Sequence, residues 1–221
     1  MLLFCGPPYN FSGYGIRENF SLPVSVAGFV LLVIGIFQKN AVSIKAFAAA
    51  ALGLLYISLS WGLMMDLYQE AFDLHIHDTM YVFGEGLIPI LVIASIWIND
   101  TMAYIVGSLI GKRPLSSISP KKTWEGTIGG VILAFLVVGC LFPLIYIKHV
   151  DQYIFLGILP VIAIGSITGT LGDLLESKLK RMAGVKDSGT IMPGDGGFLD
   201  RFDSLLLATP FVWLYVALVL K

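Results

Sequence analysis

The chain has 221 residues, 57% of them hydrophobic and 13% charged, with a formal net charge of −1 at pH 7. Soluble domains carry about 25% charged residues and interrupt their apolar runs, so this balance excludes an ordinary soluble domain and points to a multi-pass membrane protein. The net charge says nothing of partners, because the two signs are segregated along the chain.

The first residues, Met1 to Cys5, are broken at once by Gly6-Pro7-Pro8, with no basic region and no small-residue cleavage site. Insertion is therefore expected to rely on the spans themselves. A hydrocarbon core about 30 Å thick asks for roughly 20 apolar residues per helix. Segments near 22–37, 44–65, 86–110, 127–147, 153–172 and 204–220 come close to that length. The expected fold is all-α, a polytopic bundle of about six transmembrane helices, since only helices and closed barrels satisfy the backbone in lipid. Strand-length alternation is not seen, which disfavours a barrel. Cys5 and Cys140 share no metal or redox spacing and read as core filling.

Of the 14 Lys and Arg residues, all but Arg17, Lys148 and Lys221 lie in or beside segments 38–43, 111–126 and 173–203. The positive-inside rule puts those segments in the cytoplasm. The 66–85 loop carries Asp66, Glu70, Asp73, Asp78 and Glu85 without a Lys or Arg, and is expected to face outward. Its His75-x-His77 could bind a metal but reads more simply as a surface pair.

Ile98-Asn99-Asp100-Thr101 places a carboxylate within the third span, where an ionisable group is costly and is a functional candidate by default. On one helix Asp100, Tyr104, Gly107 and Gly111 share a stripe, where another helix or a ligand can approach closely. Lipid chains could lie along the Gly107 and Gly111 face. The glycines, the Gly165 and Gly169 pair among them, read first as helix packing. Ser119-Pro-Lys121-Lys122-Thr123 sets two cations and two hydroxyls at a helix entrance; an anchor for anionic headgroups is the plainer alternative.

The segment from Gly172 to Ser204 gathers six carboxylates and five cations in an otherwise apolar chain. If the fifth helix continues through Arg181, Asp173, Glu176, Ser177, Lys180 and Arg181 share one polar arc opposite Leu174, Leu175, Leu179 and Met182. An interfacial amphipathic helix would look the same. Beyond Lys186-Asp187-Ser188-Gly189, a glycine-rich turn, Pro193-Gly-Asp195-Gly-Gly197, leads into Leu199-Asp200-Arg201-Phe202-Asp203. A helix starting near Phe198 puts Asp200 and Asp203 on one face and N–H groups toward any bound anion. Hard oxygen donors of this kind suit Mg²⁺.

In order, these motifs resemble the phosphatidate cytidylyltransferases, also called CDP-diacylglycerol synthases. Ser177-x-Leu-Lys-Arg181, Lys186-Asp187-x-Gly189 and Pro193-Gly-x-Gly-Gly-x-Leu-Asp200-Arg201-x-Asp203 match the family signature. Asp100-Thr-x-Ala-Tyr104, Gly107-x-x-x-Gly-Lys112 and Ser119-Pro-Lys-Lys-Thr-x-Glu125-Gly126 match its upstream part. The resemblance covers residues 98–221, the expected catalytic transmembrane region. Residues 1–97 match only as generic spans with the outward acidic loop. Two features depart from the family pattern: Asp195 stands where His is usual, and a carboxylate cannot donate to phosphate as imidazolium can; the front of the chain also has fewer spans.

The resemblance implies transfer of a cytidylyl group from CTP to phosphatidate, giving CDP-diacylglycerol and pyrophosphate for phospholipid synthesis. The site is expected at the cytoplasmic helix ends of a cell-membrane protein. Asp173, Asp200, Lys186 and Arg201 are the catalytic candidates. Mg²⁺ is assigned to Asp173 and Asp200 with Asp203 and Glu176 beside them, leaving room for a second cation. Lys180, Arg181, Lys186 and Arg201 would hold phosphates. Ser119, Lys121, Lys122 and Thr123 would receive either the lipid phosphate or the CTP tail, and Glu125, Ser177, Asp187 and Asp100 complete the substrate-binding set. Partners are CTP, phosphatidate and bilayer lipid, with no nucleic acid, and a homo-oligomer is left open. Competing readings are a CTP-dependent transferase acting on a polyprenyl alcohol or another lipid phosphate, a lipid-binding relative impaired in catalysis, and a transporter with Asp100 on its pathway.

Overall fold

The computed structural model describes residues 43–69, 72–76, 79–83, 86–141, 152–189 and 196–220, with single helical positions at 30, 33 and 37. Within these lie helices α1 (Ile44–Gln69), α2 (Leu87–Ile110), α3 (Trp124–Leu136), α4 (Gln152–Met182) and α5 (Leu199–Tyr215). A strand pair, β1 (Phe72–Ile76) and β2 (Thr79–Phe83), stands between α1 and α2. Both α3 and α5 continue into a π-helical turn, Val137–Leu141 and Val216–Leu220. The chain divides into two compact units, Met1–Asp66 and Leu67–Lys221.

Among the described residues, four helical stretches are long and apolar enough to cross a membrane: Ala48–Tyr68, Leu87–Ile110, Gly157–Met182 and Leu199–Leu220. They coincide with the segments expected from 44, 86, 153 and 204. Trp124–Cys140 is a shorter apolar helix where the span 127–147 was expected. The remaining expected span, 22–37, lies outside the described residues apart from three isolated positions. The protein is thus a helical membrane protein. In the 66–85 loop, for which only an outward placement was expected, Phe72 pairs with Phe83 and Ile76 with Thr79 in an antiparallel ladder. The five-residue alternation Phe-Asp-Leu-His-Ile supplies the period of two that a strand needs. At that length it cannot cross a bilayer, which takes about 9–11 residues of strand.

In the second unit, the core is set by helical spacing. Ile88, Leu91, Val92 and Ile96 line one stripe of α2; Ile158, Val161 and Ile162 line α4; Ala208 and Val212 line α5. Lipid is as apolar as leucine, so this packing stabilises by close fit more than by removal of surface from water. Small residues set that fit. A Cβ on Gly126 would sit 2.6 Å from the Ala103 carbonyl, and one on Gly130 2.7 Å from that of Asn99, so α2 and α3 meet backbone to backbone. On α4, a Cβ at Gly169 would meet Ile96 of α2 at 2.9 Å, and one at Gly172 the Asp203 carbonyl of α5 at 2.7 Å. The glycines read as packing residues therefore pack.

Candidate functional site

The α2–α3 connection, residues 111–123, is a closed loop. Leu115 N–H donates to the Lys122 carbonyl (2.7 Å) and Trp124 N–H to that of Arg113 (3.0 Å). Thr123 caps α3, its hydroxyl accepting from Gly126 N–H at 3.1 Å. The same side chain fills the notch of the glycine stripe, since its Oγ1 lies 3.0 Å from a Cβ built on Gly107 and 2.6 Å from one on Gly111. That face was read first as helix packing, with lipid chains as the alternative; Thr123 and the Gly126 backbone, 3.5 Å from a Cβ built on Gly107, fill it. Glu125 clasps the base of the loop, Oε2 accepting from the N–H groups of Lys112 (3.1 Å) and Arg113 (3.2 Å). Its carboxyl is held below the ordinary range, first by its own N–H and then by these two.

The α4–α5 connection begins at a glycine stop. Gly184, at φ 71°, ends α4 as Gly184 N–H bonds the Arg181 carbonyl and Val185 N–H that of Lys180. The chain thereby turns back toward the start of α5, where Asp200 gathers it. Asp200 Oδ2 accepts from Ser188 N–H (2.9 Å), Ser188 Oγ (2.8 Å) and Gly197 N–H (2.6 Å), while Oδ1 accepts from Lys180 (2.6 Å). Gly196 makes this possible: its φ is +88°, and a Cβ there would lie 2.5 Å from Asp200 Oδ2. Lys180 also bonds Glu176 Oε2 at 2.8 Å, one turn back on α4.

The two connections meet through Lys122, whose ammonium pairs with Asp173 of α4. Ser177 Oγ donates to the other Asp173 oxygen at 3.3 Å. Two cavities open around this pair. One of about 550 Å³ is lined by Asp100, Asp173, Glu176, Lys180, Asp200, Arg201, Asp203 and Ser204, over an apolar floor from α2 and α5. The other, of about 340 Å³, is lined by Asp100, Tyr104, Ser119, Lys121, Lys122, Thr123, Thr127, Thr170 and Asp173. Asp100 and Asp173 border both.

Most of the residues singled out in the sequence thus converge. Glu125, Ser177, Arg181, Lys186 and Asp187 line neither cavity; Arg181, Lys186 and Asp187 are exposed. Asp195 lies outside the described residues. Ser188 and Ser204 were not anticipated; Ser204 holds Asp203 through its N–H (2.6 Å) and Oγ (3.2 Å). Nor was the buried bond from Asn99 to Thr170 Oγ1 at 3.0 Å. The sequence signal for Asn99 and Thr170 was a polar residue inside an apolar run.

A hard cation fits this donor set chemically. Five carboxylates line the larger cavity, and Glu176 Oε1 is buried without a hydrogen-bond partner. Among the described residues no three His, Cys, Asp or Glu side chains converge as a ready cage. Mg²⁺ does not require one, since it usually takes one or two protein carboxylates and completes its shell with water and substrate phosphate. Asp200 is the least open donor, its two oxygens accepting four hydrogen bonds, while those of Asp173 accept two, from Lys122 and Ser177.

Membrane helices carrying a carboxylate-and-lysine site beside two abutting cavities define the class of protein. Residues 1–219 match the model of the cytidylyltransferase family, and the chain belongs to that family. Over 186 residues it is 39% identical to a phosphatidate cytidylyltransferase of Staphylococcus saprophyticus, covering 83% of this chain and 64% of the relative. The Bacillus subtilis protein of the same name is 38% identical, with 86% and 65% covered, and that of Staphylococcus haemolyticus 39%, with 88% and 69%. The chain thus spans about two thirds of the length of these relatives.

Proposed function

We propose that this chain carries the site at which a cytidylyl group passes from CTP to phosphatidate. A phosphatidate oxygen attacks the α-phosphorus of CTP, the bond to the bridging oxygen of the β-phosphate breaks, and CDP-diacylglycerol and pyrophosphate result. A phosphate monoester is already a competent nucleophile, so the task is positioning two polyanions and neutralising their charge. Lys122, Lys180 and Arg201 supply that neutralisation around the cavities, with Arg suited to bidentate contact. Lys186 and Arg181, exposed beside the α4–α5 turn, draw the nucleotide from solution. Mg²⁺, held by Asp173 with Asp203, Glu176 and Asp200 as its further candidates, would offset the charge developing on pyrophosphate.

The chain would lie in the cell membrane as six spans, residues 98–221 forming the catalytic region. The cation-rich connections would face the cytoplasm, where CTP is found. Phosphatidate keeps its phosphate at the interface, so a site at those helix ends is the geometry the reaction needs.

The observation that carries this reading is the pairing of Lys122, from the Ser-Pro-Lys-Lys-Thr loop, with Asp173, at the head of the signature segment. Two motifs separated by 51 positions in the chain meet at one point. An acceptor panel tests it: purified protein with labelled CTP and phosphatidate, polyprenyl phosphate or polyprenyl alcohol. Label on phosphatidate alone supports the assignment; label on a polyprenyl acceptor alone replaces it.

A further inference from the structure

Resting on that reaction, we infer that Glu125 is a positioning residue for the transfer: by closing the α2–α3 loop it fixes where Lys122 stands, and it touches no substrate itself. Glu125 lines neither cavity, and a carboxylate repels the two polyanions that the reaction brings together. What it holds is backbone.

Four hydrogen bonds close the neck of the loop. Two run main chain to main chain, from Leu115 N–H to the Lys122 carbonyl and from Trp124 N–H to the Arg113 carbonyl, on either side of the bridge between Pro114 and Thr123. The other two are those that Glu125 Oε2 accepts from the N–H groups of Lys112 and Arg113. Glu125 reaches back to them from the first turn of α3, a helix pinned to α2 at Gly126 and Gly130, so the clasp ties the start of the loop to a fixed point. Lys122 hangs on this neck. Its N–H donates to the Ser119 carbonyl at 3.1 Å, its carbonyl is the one that accepts from Leu115, and its ammonium crosses to Asp173 on α4. Without the clasp the neck keeps only its two main-chain bonds, and the Lys122 backbone is free to drift from Asp173 and from the smaller cavity that Lys122 lines. A misplacement of about 1 Å can cost about a hundredfold in rate, so a residue that touches no reactant acts on turnover through the place it gives to one that does.

Two conservative variants separate reach from charge. Glu125→Gln keeps a side-chain oxygen at the same reach and loses the charge; Glu125→Asp keeps the charge but, one methylene shorter, cannot span to both N–H groups. With purified protein and phosphatidate in mixed micelles, kcat/KM should stay within about threefold of wild type in Glu125→Gln and fall about tenfold in Glu125→Asp. In a Lys122→Ala background Glu125→Asp should cost nothing further, because its effect passes through a side chain already removed. Tryptic cleavage after Lys112 and Lys122, a readout that needs no turnover, should quicken in Glu125→Asp and remain close to the wild-type rate in Glu125→Gln. A loss in Glu125→Gln equal to or larger than that in Glu125→Asp, no loss in Glu125→Asp, or a full multiplication of its loss onto that of Lys122→Ala overturns the inference while leaving the reaction standing. Wild-type protein that makes no CDP-diacylglycerol overturns the reaction itself, and the tryptic comparison still reports the clasp.

Discussion

Lys122 and Asp173 form an ion pair that ties the α2–α3 loop to the polar face of α4. Each side chain keeps 28% of its surface exposed, so solvent screening holds the contribution of the pair to stability below about 1 kcal/mol. Its weight lies in where it stands: Asp173 borders both cavities and Lys122 lines the smaller one. Lys122→Ala is expected to lower kcat/KM by about a hundredfold or more, as losing a positioned charge does in other transfers. Its melting temperature in detergent should change little. A large loss of stability with retained turnover would make the pair a structural tie only.

Asp200 acts as the fastener of the α4–α5 turn, and Gly196 is the residue that lets it. Gly196→Ala combines a left-handed backbone with a Cβ 2.5 Å from the Asp200 carboxylate. The expected cost is about 1–3 kcal/mol, concentrated in this turn. Thermal unfolding and proteolysis near residue 188 should both report it, and transfer activity should fall with them. Gly184→Asn should be milder, because Asn tolerates the left-handed region.

Glu125 supplies a pH-dependent element outside the spans. Its carboxyl is held below the ordinary value, first by its own N–H and then by the Lys112 and Arg113 N–H groups. A depressed folded value means that its contribution is present above the unfolded value, about 4.3, and is lost as pH falls through the folded one. The difference in melting temperature between wild type and Glu125→Gln should therefore be present at pH 7. It should narrow only once pH drops below the ordinary carboxylate range. A difference constant down to pH 3 would mean that Glu125 acts by shape alone.

Thr170→Val removes the hydroxyl that accepts from Asn99, whose Oδ1 already lacks a partner. Interhelical hydrogen bonds in membranes average about 0.6 kcal/mol and reach about 1.7. The expected loss lies toward the upper end, because a buried amide is left bare. Unfolding in mixed micelles with SDS measures it.

The spans were legible because hydropathy is a local property: α2, α4 and α5 fall where their apolar runs predict. The run of α4 to Met182 and the start of α5 at Leu199 agree with the helix limits on which the polar faces of these segments were drawn. What the sequence hid was pairing across distance. Nothing in Ser119-Pro-Lys-Lys-Thr says that Lys122 meets Asp173, or that Ser188 meets Asp200, since both contacts are fixed by helix packing and not by local spacing. Thr123 taught the same lesson in reverse. The glycine stripe at 107 and 111 shows that something approaches closely, as its reading as helix packing anticipated, but not that a threonine cap fills it. The strand pair was missed because two five-residue segments carry too little alternation to stand out beside long apolar runs.

The most direct measurement uses CTP labelled at its α-phosphate, with purified protein, Mg²⁺ and phosphatidate in mixed micelles. The label should pass into a chloroform-soluble CDP-diacylglycerol, with one pyrophosphate released for each transfer, and Asp173→Asn should abolish both. Label that stays in the aqueous phase with correctly folded wild-type protein, or full transfer by Asp173→Asn, would contradict the account.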